Sequence, residues 1–179
     1  MASEKITVHD KVFDLLLSQS EIEARIDQLS VLINEHYREQ CPIFLMVLNG
    51  AFMFGTELVK RFQGPCEVSF LRAKSYVGMA SSGSVQVDGQ LSPIKNRPVL
   101  LIEDIVDSGT TLAKLMPMLR DENPISLRLA SLLFKPAALQ HDLKVDYCGF
   151  EIPNRFVVGY GLDYNQLGRN YPAIYVLEG

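Results

Sequence analysis

The feature that most constrains the fold is an uninterrupted apolar run at residues 99–102 that ends in two adjacent carboxylates, Glu103 and Asp104. A strand that is apolar on both faces is typical of a parallel sheet covered by helices on both sides. A loop at 103–111 and a helix are predicted to follow, and a second apolar run at 127–134 predicts the next strand. This order of strand, loop, helix and strand indicates the α/β class.

The remaining segments favour the same class. A first helix is predicted where apolar residues recur with helical spacing, and its start fits a capping box from Ser20 to Glu23. An apolar strand at 43–48, a helix ending near residue 62 and an alternating strand at 67–74 follow. Shorter strands are predicted near 146–150, 156–160 and 173–177. The apolar face of the first helix consists of Ile22, Ile26, Leu29 and Ile33.

Composition limits the classes of protein that remain. The chain has 179 residues, of which 47% are hydrophobic and 21% charged, which predicts one globular domain with an ordinary core. The net charge of −4 and the lack of a basic run disfavour non-specific nucleic-acid binding. The longest apolar run, at 43–54, is interrupted by Asn49-Gly50 and is shorter than a membrane span.

The cysteines and the first residues bear on the compartment. Cys41, Cys66 and Cys148 are scattered and show no CxxC spacing, so they are interpreted as thiols in a reducing compartment. The amino-terminal residues show no secretory apolar region. We therefore expect a cytoplasmic location.

Polar residues follow several of the predicted strands at the same end. Asn49-Gly50, Glu103-Asp104, Lys135 and the residues after Tyr160 all come where a predicted strand stops. In open α/β sheets, ligands bind outside the carboxyl ends of the strands. The sequence therefore predicts one binding site at this edge of the sheet.

The segment after the apolar run suggests the kind of ligand. Adjacent carboxylates at the end of a buried strand are costly unless they meet hydroxyls, cations or water. The small and hydroxylated residues from Asp107 to Thr111 open a helix and leave backbone N–H groups free for a phosphate. A sugar phosphate would satisfy both groups. The alternative is that Asp107 or Ser108 only caps the helix while the acids face solvent. A GxxxxGK[ST] loop is absent from the sequence, so a Walker-type NTPase is excluded.

The segment Val99-Leu-Leu-Ile-Glu-Asp-Ile-Val-Asp-Ser-Gly-Thr-Thr111 resembles the signature with which type I phosphoribosyltransferases bind 5-phosphoribosyl-1-pyrophosphate (PRPP). Residues 149–165 resemble the purine-site segment of the hypoxanthine-guanine phosphoribosyltransferases, and residues 71–76 and 130–135 are also similar to that family. The resemblance implies a single domain over 1–179, in which a mainly parallel twisted sheet is flanked by helices. It further implies a core at about 38–150, a small hood from about 1–37 and 151–179, and a mobile lid loop within 75–89.

The resemblance also implies roles for individual residues. Asp107 matches the general base near the purine N7. Glu103 and Asp104 match the acidic pair at the ribose hydroxyls, and together with Asp163 they match the residues that meet Mg²⁺. The residues matching the 5′-phosphate loop are Asp107, Ser108, Gly109, Thr110 and Thr111, and those matching the pyrophosphate site are Asn49, Gly50 and Arg169.

The purine and lid positions follow in the same way. The purine site is matched by Lys135 at the base O6, by Phe156 stacking on the ring, and by Val157 and Asp163. The base of the lid is matched by Lys74, Ser75 and Tyr76. As bare patterns, Asn49-Gly50 is typical of an ordinary turn, a strand-terminal Lys is usually solvated, and Phe156 to Val158 is typical of core. Many relatives carry Lys or Arg at positions 49 and 110, where this chain has Asn and Thr.

The resemblance implies an enzyme of purine salvage that uses Mg²⁺. It would transfer the phosphoribosyl group of PRPP to N9 of hypoxanthine or guanine, giving IMP or GMP and pyrophosphate. Its partners would be these small molecules, with no nucleic acid and no membrane, in a homodimer or homotetramer. Three alternatives stay open: a PRPP-dependent regulator, an enzyme of this fold for xanthine, adenine or a pyrimidine, and an α/β domain of the flavodoxin or receiver type.

Overall fold

The elements of the fold alternate as an α/β protein requires. The computed structural model describes residues 4–75, 85–88 and 93–179. In those residues the elements are, in chain order, β1 (Lys5–Val8), β2 (Lys11–Leu17), α1 (Gln19–Tyr37), β3 (Ile43–Leu48), α2 (Phe52–Arg61), β4 (Glu67–Ser75), β5 (Val85–Asp88), β6 (Pro98–Val106), α3 (Thr110–Asp121), β7 (Ser126–Phe134), a short 3₁₀ helix (Pro136–Ala138), β8 (Tyr147–Glu151), β9 (Val157–Val158) and β10 (Ile174–Leu177).

The larger sheet has the strand order β5-β4-β3-β6-β7-β8. The pairs β4–β3, β3–β6, β6–β7 and β7–β8 are parallel, and β5 adds to the edge of β4 in the antiparallel direction. The strands at the centre are buried on both faces, as uninterrupted apolar runs predict for parallel strands. The predicted fold class is confirmed.

Successive residues of β6 pack against opposite layers, because side chains alternate along a strand. Leu100 and Ile102 lie in a cluster with α1 and α2, whereas Val99 and Leu101 lie in a cluster with α3. All four side chains are fully buried. The helices therefore cover both faces of the sheet, and its carboxyl edge is left for a ligand.

Helix α1 begins at a capping box, two residues before the predicted one. The Ser18 hydroxyl accepts the backbone N–H of Glu21, and the Glu21 side chain accepts the backbone N–H of Ser18. The predicted box from Ser20 to Glu23 is therefore wrong, while the apolar face of the helix is confirmed as buried. In the described ranges, no helix is both long and apolar enough to cross a membrane.

Strand β6 is longer than predicted. It continues through the acidic pair to Val106, which lies opposite Phe134 of β7. The prediction that a loop begins at Glu103 is wrong, because the ladder with β7 keeps both acidic residues in extended backbone. The connection to α3 is consequently only three residues long, from 107 to 109.

A second sheet is built from both ends of the described chain. Its strand order is β1-β2-β10-β9, all antiparallel, so β2 and β10 place residues 11–17 beside 174–177. This sheet corresponds to the hood. Helix α1 lies within 1–37, which was expected to belong to the hood, but it contacts α2 and β8 and so lies over the larger sheet.

Strand β5 pairs with the last residues of β4 in the antiparallel direction. Strands β4 and β5 pair with Ser75 opposite Val85. Residues 76–84 and 89–92 are outside the described residues. The structure therefore does not test the predicted role of Tyr76 or the predicted mobile lid.

Two leucines of α1 offer a matched test of the core. Leu29 is 1% exposed and Leu32 is 45% exposed, although they lie one turn apart on the same helix. We expect Leu29→Ala to lower the free energy of unfolding by about 2–5 kcal/mol, because it leaves a cavity. Leu32→Ala is expected to change it by less than about 0.5 kcal/mol. Urea denaturation of both variants measures the difference, and equal losses would contradict this packing of α1.

Candidate active site

Close packing of three backbone segments forms the floor of the site. A Cβ atom added to Gly50 would lie 1.5 Å from Oδ2 of Asp104, so any larger residue would displace that carboxylate. A Cβ atom on Gly161, whose φ is +100°, would lie 2.1 Å from the carbonyl oxygen of Gly50. The turn after β3, the end of β6 and the segment after β9 therefore meet at one point. The Leu48–Asn49 peptide bond in this turn is cis, and the Asn49 side chain is exposed.

Glu103 is a buried carboxylate that faces the α3 side of the sheet. It is 9% exposed, and its Oε2 atom is buried with no hydrogen-bond partner among the described residues. Burial, with a smaller contribution from the neighbouring Asp104, raises the pKa of Glu103 well above its usual range. An unsatisfied carboxylate oxygen of this kind is costly unless a ligand supplies a proton or a positive charge.

Asp104 points to the opposite side, against Gly50. Its Oδ1 atom accepts the backbone N–H of Ile105 at 2.9 Å. Burial raises the pKa of Asp104 to about 6, although the hydrogen bond from Ile105 and the positive charge of Arg169 act in the other direction. The two acids are thus adjacent in sequence but serve two sides of the sheet edge.

The connection from β6 to α3 forms a small hollow lined with hydroxyl groups. Gly109 caps α3 in the left-handed conformation, with φ of +76°. The Ser108 hydroxyl accepts the backbone N–H of Thr110 at 3.3 Å and lies 3.0 Å from the Thr110 hydroxyl. The hollow has a volume of about 100 Å³ and is lined by residue 103 and residues 105–112. Free N–H groups at a helix N-terminus together with hydroxyls suit a phosphate group.

Lys135 and Asp107 form an ion pair between the ends of β7 and β6. The Lys135 Nζ atom lies 2.5 Å from Oδ2 of Asp107. The lysine side chain is 7% exposed, whereas the aspartate side chain is 50% exposed. Lys135 is therefore not the solvated strand-terminal lysine that the bare sequence pattern suggests, and the pair presents a cation and an anion side by side.

Arg169 is held by the segment that follows β9. It donates from Nη1 to the carbonyl oxygen of Gly161 at 2.7 Å, and its Nη2 atom lies 2.5 Å from Oδ1 of Asp163. The other oxygen of Asp163 accepts the backbone N–H of Gln166 at 2.8 Å. The guanidinium group is thereby fixed beside the floor of the site, close enough to lower the pKa of Asp104.

Phe156 presents a half-exposed ring, whereas Val157 beside it is buried and pairs with Val176 in the hood sheet. The ring is 46% exposed and lies 5.9 Å from the ring of Tyr164 and 6.3 Å from the ring of Phe13, between centroids. A half-exposed planar ring held by contacts with two other rings is suited to stack on a base. The interpretation of Phe156 as core is wrong, and that of Val157 as core is confirmed.

Several residues of this neighbourhood were not found from the sequence. Gly161 lies inside the segment 149–165, and its left-handed φ had no signal beyond the Gly159-Tyr-Gly161 pattern. Phe13 and Tyr164 support Phe156 only because the hood sheet brings residues far apart in sequence together. His141, near Thr110, showed no pattern at all. Of the residues predicted at the base of the lid, Lys74 and Ser75 are the last two residues of β4.

The described residues contain no group of three or more His, Cys, Asp or Glu side chains arranged to hold a metal ion. The donor set nevertheless suits a hard cation that a substrate helps to hold. Glu103 has an unsatisfied buried oxygen, and the pKa of both Glu103 and Asp104 is raised by burial, so a nearby cation would relieve both groups. Carboxylate oxygens and substrate phosphates are the usual ligands of Mg²⁺.

The raised pKa of Asp104 predicts a pH-dependent gain in stability when its charge is removed. Because the folded protein holds the proton more tightly than the unfolded chain does, the contribution of Asp104 to the stability of the parent falls as pH rises from about 4 to about 7. We expect Asp104→Asn to be more stable than the parent at pH 7.5, by on the order of 2 kcal/mol, with the difference vanishing near pH 4.

Urea denaturation at pH 4, 6 and 7.5 measures this difference. Asp121→Asn, at the exposed end of α3, is the matched control and should change the free energy of unfolding by less than about 0.5 kcal/mol. A difference for Asp104→Asn that is independent of pH would contradict the burial argument.

Comparisons with known proteins fit this geometry. Residues 14–165 match the phosphoribosyl transferase domain family. The chain is 38% identical over 174 residues to the bifunctional protein TilS/HprT of Listeria monocytogenes, covering 96% of this chain but only 27% of that protein. It is 38% identical over 172 residues to the hypoxanthine-guanine phosphoribosyltransferase of Bacillus subtilis, covering 95% of each.

A solved structure gives the same result in three dimensions. The fold superposes on the crystal structure of a hypoxanthine phosphoribosyltransferase from Staphylococcus aureus with a TM-score of 0.87, at 36% identity, covering 92% of this chain and 91% of that one. Sequence and fold agree over nearly the whole chain, and the hydroxyl-lined loop and the acidic pair lie inside the matched region. The chain therefore belongs to the phosphoribosyltransferase family, in its hypoxanthine-guanine branch.

Proposed function

We propose that this chain transfers the 5-phosphoribosyl group of PRPP to N9 of hypoxanthine or guanine, giving IMP or GMP and pyrophosphate, a reaction of purine salvage. The observation that carries the proposal is the ion pair between the buried Lys135 and the half-exposed Asp107 beside the hydroxyl-lined hollow. It places groups suited to a 6-oxopurine next to groups suited to a sugar phosphate. The family assignment supports the same reaction.

The phosphoribosyl group would be held by the end of β6 and the start of α3. Ser108, Gly109, Thr110 and Thr111 would bind the 5′-phosphate through backbone N–H groups and hydroxyls, as helix N-termini bind anions. Glu103 and Asp104 would accept hydrogen bonds from the ribose hydroxyls. The unsatisfied oxygen of Glu103 supports this role, since a ribose hydroxyl would give it the partner that it lacks.

The base would lie between the ion pair and the hood. Lys135 would donate to O6, and Asp107 would hold or accept the proton at N7, which makes the purine a better nucleophile. Phe156 would stack on the ring, and the Val157 backbone and Asp163 would meet the base edge. Adenine presents an amino group at position 6, which would leave the buried ammonium of Lys135 unmatched.

Pyrophosphate would leave on the side of Gly50 and Arg169. The backbone of Asn49-Gly50 and the guanidinium of Arg169 are suited to phosphate oxygens, the latter through its fork of donors. The Asp163 carboxylate that pairs with Arg169 in the structure would have to share it with the leaving group. Displacement at the anomeric carbon then proceeds with the purine adding from the opposite face.

The proposal includes Mg²⁺ as the cofactor, with Glu103, Asp104 and Asp163 as the residues that would face it. Bound to PRPP, the ion would offset the negative charge of the departing pyrophosphate. The raised pKa of the acidic pair supports this assignment, because a cation favours the charged form of both groups.

The remaining parts of the proposal concern the lid and the setting of the enzyme. Lys74, Ser75 and Tyr76 would form the base of a lid that keeps water from the cationic ribose. The enzyme would act in the cytoplasm as a homodimer or homotetramer, with small molecules as partners. The net charge of −4 supports the absence of a nucleic-acid partner.

Turnover of a panel of bases tests the reaction. Hypoxanthine, guanine, xanthine and adenine are each incubated with PRPP and Mg²⁺, and nucleotide formation is followed by absorbance. We expect turnover with hypoxanthine or guanine that stops when EDTA removes the metal. We expect Asp107→Asn to lower kcat by about 100-fold or more, because it removes the general base.

Asp121→Asn is the matched control for that variant and should keep the parent kcat. Binding of PRPP without turnover of any base would contradict the enzyme and favour a PRPP-dependent regulator. Turnover of adenine or a pyrimidine alone would contradict the base assignment.

Lys135→Met tests the recognition of O6. It is expected to lower kcat/KM for hypoxanthine and guanine by about 100-fold, because a charge-assisted hydrogen bond in a buried site is lost. Discrimination against adenine should shrink by a similar factor. Lys114→Met, on the exposed side of α3, is the control. A variant that keeps the parent preference between hypoxanthine and adenine would show that Lys135 does not read the base.

A further inference from the structure

We propose that His141 is a positioning residue of the 5′-phosphate site, where it orients the Thr110 hydroxyl toward a phosphate bound at the N-terminus of α3. The inference rests on the proposed function, since it takes the phosphoribosyl site as given and adds a residue to it. His141 belongs to the segment between β7 and β8, outside the residues that line the hollow.

The geometry is a chain of three polar groups along the loop. The His141 Nε2 atom lies 3.3 Å from the Thr110 hydroxyl, which in turn lies 3.0 Å from the Ser108 hydroxyl. Each hydroxyl has one proton to donate and two lone pairs that can accept. The direction in which Thr110 donates therefore depends on what its neighbours offer. A proton on Nε2 fills one lone pair of Thr110 and leaves its own proton free for a ligand.

The same segment that carries His141 shapes the phosphate loop. The backbone N–H of Gln140 donates to the carbonyl oxygen of Ser108 at 3.0 Å. A Cβ atom on Gly109 would lie 2.9 Å from Cδ1 of Leu139 and 3.9 Å from Cβ of His141. The position of the imidazole is thus set by contacts that also hold the loop, although its side chain is exposed.

Charge explains why the site would use such a residue. The residues that line the hollow, all in the described part of the chain, include Glu103 and Asp107 but no Lys or Arg. Lys135 lies nearby, but it is paired with Asp107. A phosphate dianion would therefore depend on backbone N–H groups, the dipole of α3 and hydroxyl donors. A histidine that fixes the hydroxyl proton of Thr110 toward the anion strengthens the donor set without placing a cation in the hollow.

IMP and inosine distinguish the phosphate from the rest of the ligand, since they share base and ribose and differ only in the 5′-phosphate. We expect His141→Phe, which keeps a ring but no N–H, to weaken IMP binding by about 5- to 20-fold, the effect of one hydrogen bond to a charged group. Inosine binding should stay within about twofold of the parent. His141→Gln, whose amide nitrogen reaches the place of Nε2, should keep most of the IMP affinity.

Kinetics separate positioning from a structural role. His141→Phe should raise KM for PRPP by the same factor as it weakens IMP, while kcat and KM for hypoxanthine stay near the parent values. His36→Phe is the matched control, because His36 contacts Arg128 near the start of β7, at the opposite end of the sheet. It should leave the ratio of IMP to inosine affinity unchanged.

The outcomes decide between the two proposals. An unchanged ratio of IMP to inosine affinity in His141→Phe would overturn the role of His141 and leave the proposed function intact. An equal loss for IMP and inosine would also overturn it, since that pattern belongs to a distorted site. A parent protein that fails to bind IMP would instead contradict the proposed function, and the role of His141 with it.

Discussion

Parallel pairing of β3, β6 and β7 is the constraint on which the site depends. The registers place Ile43 beside Val99 and Val99 beside Leu127, so the three strands run side by side and end at one edge. Each strand is followed by a residue of the proposed site. These residues are far apart in sequence, and the pairing of the strands brings them together. The hydrophobic burial of the strands thus supplies the positional accuracy that the polar groups at their ends require.

The acidic pair shows how one strand can serve two parts of a ligand. Because side chains alternate along β6, Glu103 faces the loop before α3 while Asp104 faces the turn after β3. Extending the strand to Val106 is what enforces this division, since in a loop both carboxylates could turn the same way. Without a ligand, the burial of both carboxylates lowers the stability of the fold. Hydroxyls or a cation bound beside them would remove this cost.

Much of the fold could be predicted from the sequence, since the central strands are apolar runs that need no partner to be recognised. Other parts could not. Ser18 and Ser20 each precede a glutamate by three residues, so the sequence offers two capping boxes, and the contacts of the folded helix select Ser18. Strands β1 and β2 are short and partly exposed, so their pattern is weak without β10 beside them. Lys135 is paired with Asp107, which is 28 residues away in sequence. The two residues come together only because β6 and β7 lie side by side.

The hood sheet has a further consequence for the order in which the protein is assembled. Strand β2 pairs with β10 across about 160 residues, whereas each strand of the larger sheet pairs with neighbours much closer along the chain. Contacts between distant residues carry a larger loop-closure entropy and form late. During synthesis, the end of β6 and the start of α3 therefore leave the ribosome well before β10 does. A nascent chain would acquire its phosphate-binding half first, and the ring cluster around Phe156 would be completed only once β10 is available to pair with β2 and β9.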